Sequence, residues 1–259
     1  MNLLEFMNER LSEFEGRTIQ FSKGSGKTTA VEILQGLKIS EGGSGEIFEV
    51  AVRAGNRSRD FILKRFFGQT PKLQESAARD ALRNYQLAKR AGLKVFSTYR
   101  LSEDRTSILM TNGNLGGHFC FGSNIHSPRA LKVMGRKIPA IDNLDELISG
   151  LVAEAQKAAE HQLQLHHDTY FFLVNRENPR RADFVDGDMD NVEEFPTECV
   201  KYLLATNLYN ALHALKNFVA NNVVDDDRLT MATVQAAYRK AVQEMGLEEF
   251  RQWQLSNDV

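Results

Sequence analysis

Short apolar runs divided by turn-forming residues fill the first third of the chain. TIQF and TTAVEIL flank KGSGK, and GLKIS, EIFEVAV and DFILKRF follow, the last two breaks being EGGSG and AGNRSR. Runs this short, bounded by Gly, Asn and Ser, are strands joined by tight turns. The pattern predicts an antiparallel meander over residues 17–67. Ahead of it, Leu3, Leu4, Phe6, Met7, Leu11 and Phe14 recur at helical spacing and predict an amphipathic helix. Pro71 opens a helix running to Ala91, with Leu73, Ala77, Ala81, Leu82, Tyr85 and Ala88 on its apolar side and Gly92 placed to cap it. KVFSTYRLSEDRTSILMT reads as one more hairpin, turning at SEDRT.

From Asn112 the character changes. NGNLGGHFCFGSN is glycine-rich and reads as a loop or hinge. Leu144, Leu147, Ile148, Leu151, Val152, Ala155 and Ala159 mark a long helix. In the following HHDTYFFLVNRENPRRADFVDGD, FFLV is a strand, NRENP a turn and RRADFV the returning strand. Two more helices, from Thr197 to about Val219 and from Thr230 to about Met245, each have a threonine at the N-cap. The expected plan is α+β: a helix over 1–16, a strand-rich part with one helix over 17–112, and a mainly helical part over 113–259.

Composition narrows the class. A chain of 259 residues that is 42% hydrophobic and 25% charged is an ordinary globular protein. A net charge of −2 gives no drive toward nucleic acid or an anionic membrane. Cys120 and Cys199 form neither a metal motif nor a disulfide framework. Glu5, Glu9, Glu13 and Glu15 are foreign to a secretory apolar core, and no run approaches a membrane span. A cytoplasmic protein is expected; its oligomeric state is not legible.

Three features carry chemistry. Asp168 and Asp183 stand at the mouths of paired apolar runs, where a hairpin would hold both carboxylates at one end. Phosphoryl transfer uses such a pair, one acid orienting the acceptor hydroxyl and the other holding magnesium. Gly42, Gly43 and Gly45 lie between two strands, either as a plain tight turn or as a turn whose amides face phosphate oxygens. Lys64 shares a strand face with Ile62 and Phe66, so its ammonium either snorkels at an edge or meets an anion.

In this order the features resemble the protein-kinase-like superfamily over roughly residues 31–190. SEGGSGEIFEV is similar to the kinase glycine loop, with Ser40 in place of the first glycine. FILK resembles the strand whose lysine grips the phosphates, HHD the H-R-D segment, and ADFV the D-F-G segment. The short catalytic loop and compact size look more like bacterial lipopolysaccharide-core (Kdo) kinases. The resemblance implies a two-lobed fold with a nucleotide cleft near residue 112, ATP and Mg2+ as cofactors, and a hydroxyl-bearing acceptor, protein or sugar. It implies Asp168 as base, Lys64 on phosphate, Asp183 on magnesium, Met110 to Asn112 as the adenine hinge, and His166 as a brace.

The chain departs from that pattern at three points. No asparagine follows Asp168, so Asp186 or Asp188 is the expected substitute at the metal. D-F-G has become Asp183-Phe184-Val185. The acid partner of Lys64 is Glu75 or Asp80, with Glu75 favoured by its reach. Two other functions stay open: a pseudokinase scaffold, and a P-loop NTPase using Lys27 and Thr28 of FSKGSGKTT. The P-loop needs a helix after the lysine, whereas β-branched TTAVEIL favours a strand, so the motif is read as a hairpin turn.

Overall fold

The computed structural model describes residues 14–22, 27–41, 43–114, 117–122, 140–221 and 231–249. The expected N-terminal helix falls almost wholly outside them, as does Thr230. The chain divides into two compact units, residues 1–83 with 96–115, and residues 84–95 with 116–259.

In the first unit, six antiparallel strands close into a barrel. They are β1 (Thr18–Ser22), β2 (Thr28–Glu41), β3 (Gly45–Ala54), β4 (Arg57–Phe66), β5 (Tyr99–Ser102) and β6 (Ser107–Thr111), in the order β1-β2-β3-β4-β6-β5. The meander is as the sequence suggested, except that TTAVEIL and GLKIS form one bulged strand, with register shifts at Ile33/Gln35 and Lys38/Ser40. Ser22 pairs with Thr28, and among the described residues a strand, not a helix whose N-terminus would receive a phosphate, follows Lys27, which weighs against the P-loop alternative.

Alternation sets the two faces of the barrel. Phe21, Val31, Ile33, Phe48, Val50, Val52, Leu63 and Leu109 fill the interior, with Phe14 against them. Lys64, cross-strand to Ile47 and Ile108, faces the other way. Helix α1 (Pro71–Arg90) runs between β4 and β5 in sequence, and the chain turns out of it at Gly92, whose φ is +73°.

The second unit holds the end of α1, a sheet, and helices α2 (Leu144–Glu160), α3 (Val200–Asn221) and α4 (Met231–Glu244). The sheet has the order β10-β9-β7, from β7 (His118–Gly122), β9 (Tyr170–Asn175) and β10 (Ala182–Asp186), while β8 (Leu163–Leu165) pairs with β11 (Val192–Glu194). The segment HFCFG, expected as loop, is therefore strand β7, paired with β9 from His118↔Asn175 to Gly122↔Phe171. The buried ring of Phe121 explains it: it packs 5.8 Å from Phe218, which also stacks on Phe172 at 4.4 Å. Burial of an aromatic outweighs the local glycine content. Thr197 accepts the amide of Cys199 at 3.0 Å just ahead of α3, which begins at Val200.

One glycine of the β2–β3 turn has a steric reason to be glycine. A Cβ on Gly45 would stand 2.3 Å from the Arg65 carbonyl oxygen on the neighbouring strand. Gly45→Ala must push β3 from β4, and the expected loss is about 1–3 kcal/mol, read as a lower midpoint in urea. An unchanged midpoint would show that the strands separate freely there.

Candidate functional site

In the first unit, the glycine turn and Lys64 belong to adjacent strands. Ile47, two residues past Gly45, lies directly opposite Lys64. Lys64 is 3% exposed and its ammonium lies 5.2 Å from the centre of the Phe66 ring. Gly43 has open space around it, and Gly42 lies outside the described residues. The Glu75 carboxylate faces Arg79 at 3.6 Å and Arg105 at 4.0 Å, while Asp80 accepts from Ser76. Met110 is buried in β6. The Asn112 side chain ties the end of that strand, donating to Glu49 at 3.0 Å and accepting the Asn114 amide at 2.9 Å.

In the second unit, β8 leads through His166 into a single 3-10 turn, His167–Thr169, and then directly into β9. Asp168 rides on that turn. Its carboxylate is part-exposed and 3.5 Å from His167 Nε2. A second 3-10 turn, Met189–Asn191, follows β10 and packs against the first. His166 N–H and the Thr169 hydroxyl both donate to the Asn191 carbonyl, at 3.1 and 2.9 Å, and Gly187 N–H donates to the Thr169 carbonyl at 2.9 Å. Asn84 on α1 closes the group by donating to the carbonyls of Met189 and Val192. Asp188 precedes this second turn and accepts from Asn191 Nδ2 at 3.1 Å.

This register corrects the expected acid pair. Tyr170 stands opposite Asp186, whereas Asp183 stands opposite Leu173, three rungs up the hairpin. Three rungs are about 10 Å of strand, so the hairpin does not bring Asp183 to the end where Asp168 lies. Asp183 is 61% exposed and held by Lys94 at 2.8 Å. It lines a cleft of about 360 Å³ with Lys94, His118, Leu147, Leu173 and Arg181. The acids that the fold sets beside the Asp168 turn are Asp188 and Asp190.

Asp186, the other expected metal acid, is sealed. It is 0% exposed, and no N–H or hydroxyl donor reaches either carboxylate oxygen. Burial first, then the charge and hydrogen bond of Glu154, hold its carboxyl well above the usual carboxylate range, against the opposing pull of Lys157 and Lys94. Enclosed beside that second carboxylate, Asp186 holds its proton. Glu154 meanwhile accepts the Lys94 amide and pairs with Lys157 at 3.3 Å. The nearby Tyr170 phenol is pushed up by burial and by both acids. Among the described residues, no three His, Cys, Asp or Glu side chains converge as a ready-made metal site, and no helix is long and apolar enough to cross a membrane.

No family model matches the chain, and no curated protein matches it. Solved structures that it resembles include the ROP18 kinase domain in complex with AMP-PNP and sucrose, 13% identical over 97% of this chain and 92% of that one, with a TM-score of 0.45. The Mycobacterium tuberculosis PknI kinase domain is 12% identical over 90% of this chain and 98% of that one, at 0.42. A double mutant of the same domain is 14% identical, at 0.43. Likeness of this degree assigns neither an activity nor a family.

The buried acids yield a pH dependence of defined sign. The folded Asp186 holds its proton above the range near 4 where unfolded carboxylates titrate. The stability it contributes is thus complete below about pH 4 and is lost as pH rises toward the folded value. Asp186→Asn, whose amide donates to Glu154 without a proton, is expected to melt higher than wild type at pH 8, the gap narrowing toward pH 5. Calorimetry at both pH values checks this; a wild type that gains stability as pH rises, while the variant does not, contradicts the protonated Asp186.

Proposed function

We propose that the chain transfers the γ-phosphoryl group of ATP to a hydroxyl on a compact acceptor. The observation that carries this reading is the pair of interlocked 3-10 turns, which sets Asp168 beside the segment Asp188–Asn191. Support in the other unit is the glycine turn with Lys64 opposite Ile47. Asp168 is the group that orients the acceptor hydroxyl and takes its proton as the new P–O bond forms and the β,γ-bridging bond breaks. His167, 3.5 Å away, holds that carboxylate in place. Lys64 and the amides of the glycine turn are the phosphate-binding groups.

Magnesium is implied by such chemistry, and the donor set fits it. Asp188 and Asp190 offer hard carboxylate oxygens, and a cation that keeps waters and binds through one or two carboxylates plus substrate phosphates asks for no more. When bound, it would neutralise charge on the phosphates. Asp188 and Asp190 would hold it, in place of the Asp183 and Asp186 suggested by the sequence.

The acceptor class follows from a short connection. Residues 189–199 separate Asp188 from α3, the stretch in which protein kinases carry an activation loop. So short a stretch favours a small hydroxyl compound, a sugar among them, over a protein segment.

A scaffold without turnover is the second reading, and one observation favours it. The chain enters β9 at Tyr170, immediately after the Asp168 turn, leaving no place for the asparagine that holds a second metal.

Magnesium-dependent ATP turnover across a panel of small polyols and sugars decides between them. Asp168→Ala and Asp188→Ala are each expected to lower kcat by about a hundredfold or more, with Asp183→Ala within about threefold of wild type. Loss in Asp183→Ala alone would return the metal to Asp183. Thermal stabilisation by nucleotide without turnover on any acceptor would favour the scaffold.

A further inference from the structure

The buried cluster inside the barrel is aromatic and aliphatic, and a charged group stands at the end beneath the glycine turn. There the inward-facing side chain of β3 is Glu46, 2% exposed, in line with Phe48, Val50 and Val52. Lys38 Nζ donates to Glu46 Oε1 at 2.8 Å, and Arg65 Nε donates to Oε2 at 2.9 Å, with a second donor from the same guanidinium. That guanidinium also lies 5.2 Å from the Phe14 ring centre and 5.5 Å from that of Phe48. Lys38 reaches on to Glu41, the last residue of β2.

These groups span three consecutive strands at one end of the sheet. Glu46 is cross-strand to Glu41 on one side and to Arg65 on the other. Arg65 adjoins Lys64, and Lys38 sits where β2 bulges before the turn. A sheltered ion pair adds little net stability, because lost hydration offsets most of the attraction. What it can enforce is one geometry, since any other arrangement leaves a buried charge alone.

We infer that Glu46 is a positioning residue: by gripping Lys38 and Arg65 together it fixes the glycine turn relative to the strand that carries Lys64. This rests on the phosphotransfer reading above. The balance of charge agrees with it. Burial alone would raise the Glu46 carboxyl, yet the hydrogen bonds and charges of Lys38 and Arg65 hold it below its ordinary value. Gly45 completes the arrangement, because its missing side chain lets β3 lie against the Arg65 carbonyl.

Hydrogen exchange on the full chain, without nucleotide, tests the clamp directly. In Glu46→Gln, amides over 39–47 are expected to exchange at least about tenfold faster, with those of Leu144–Glu160 unchanged. With magnesium ATP, KM is expected to rise about fivefold or more while kcat stays within about twofold. Unchanged exchange over 39–47 overturns the inference even where the melting temperature falls, as does a lowered kcat at constant KM. If Glu46→Gln does not fold, Lys38→Gln leaves the Glu46–Arg65 pair in place and serves instead: faster exchange confined to 39–47 supports the clamp, and unchanged exchange overturns it. A wild type that neither binds nor turns over ATP removes the phosphotransfer reading and the positioning role with it. The exchange measurement separates that failure from a failure of the clamp.

Discussion

Thr169 ties the turn that carries Asp168 to the segment that follows β10. It is fully buried, and three of its polar groups are engaged at once: the amide with His166, the carbonyl with Gly187 and the hydroxyl with Asn191. These bonds lock the turn bearing Asp168 to the end of β10, and β9 starts one residue later. Because strand pairing is periodic, that anchor sets the register Tyr170↔Asp186. A slip of one residue would exchange the two faces of the hairpin, turning Phe172 and Phe184 outward. The packing of Phe172 on Phe218 holds against such a slip.

The molecule handles buried carboxylates in two contrasting ways. Glu46 is enclosed with two cations, so ionisation is favoured and the geometry is rigid. Asp186 is enclosed with another acid, so a proton takes the place of a counter-ion. Burying either costs hydration; the first arrangement ties three strands, the second joins β10 to α2. Glu154 extends the second link to the turn after α1 through the Lys94 amide, and Lys157 reaches the Gly92 carbonyl at 2.9 Å.

Much of the fold was legible because its signals are local. Alternation marked β3 and β4, Pro71 and Gly92 bounded α1, and the 3.6-residue period of Leu144 to Ala159 gave α2. What escaped depended on distant partners. HFCFG carries a glycine at its end and little alternation, and only β9 alongside makes it a strand. The positions of Asp183, Asp186 and Asp188 depend on the pairing register and the 3-10 turns, neither of which local propensity encodes. The inward side of Glu46 was likewise invisible, since a charged residue beside a glycine turn reads as solvent-facing. Lys64 was the reverse case: a lysine among apolar residues is conspicuous in the sequence, and it is indeed buried.

Closure of the six strands has a further effect. Because β1 bonds to both β2 and β5, each described strand of the first unit has a neighbour on both sides over at least part of its length. An open sheet of the same residues would present a row of free amides and carbonyls and invite pairing between chains. In the second unit, β7 and β10 are the outer strands of the three-stranded sheet.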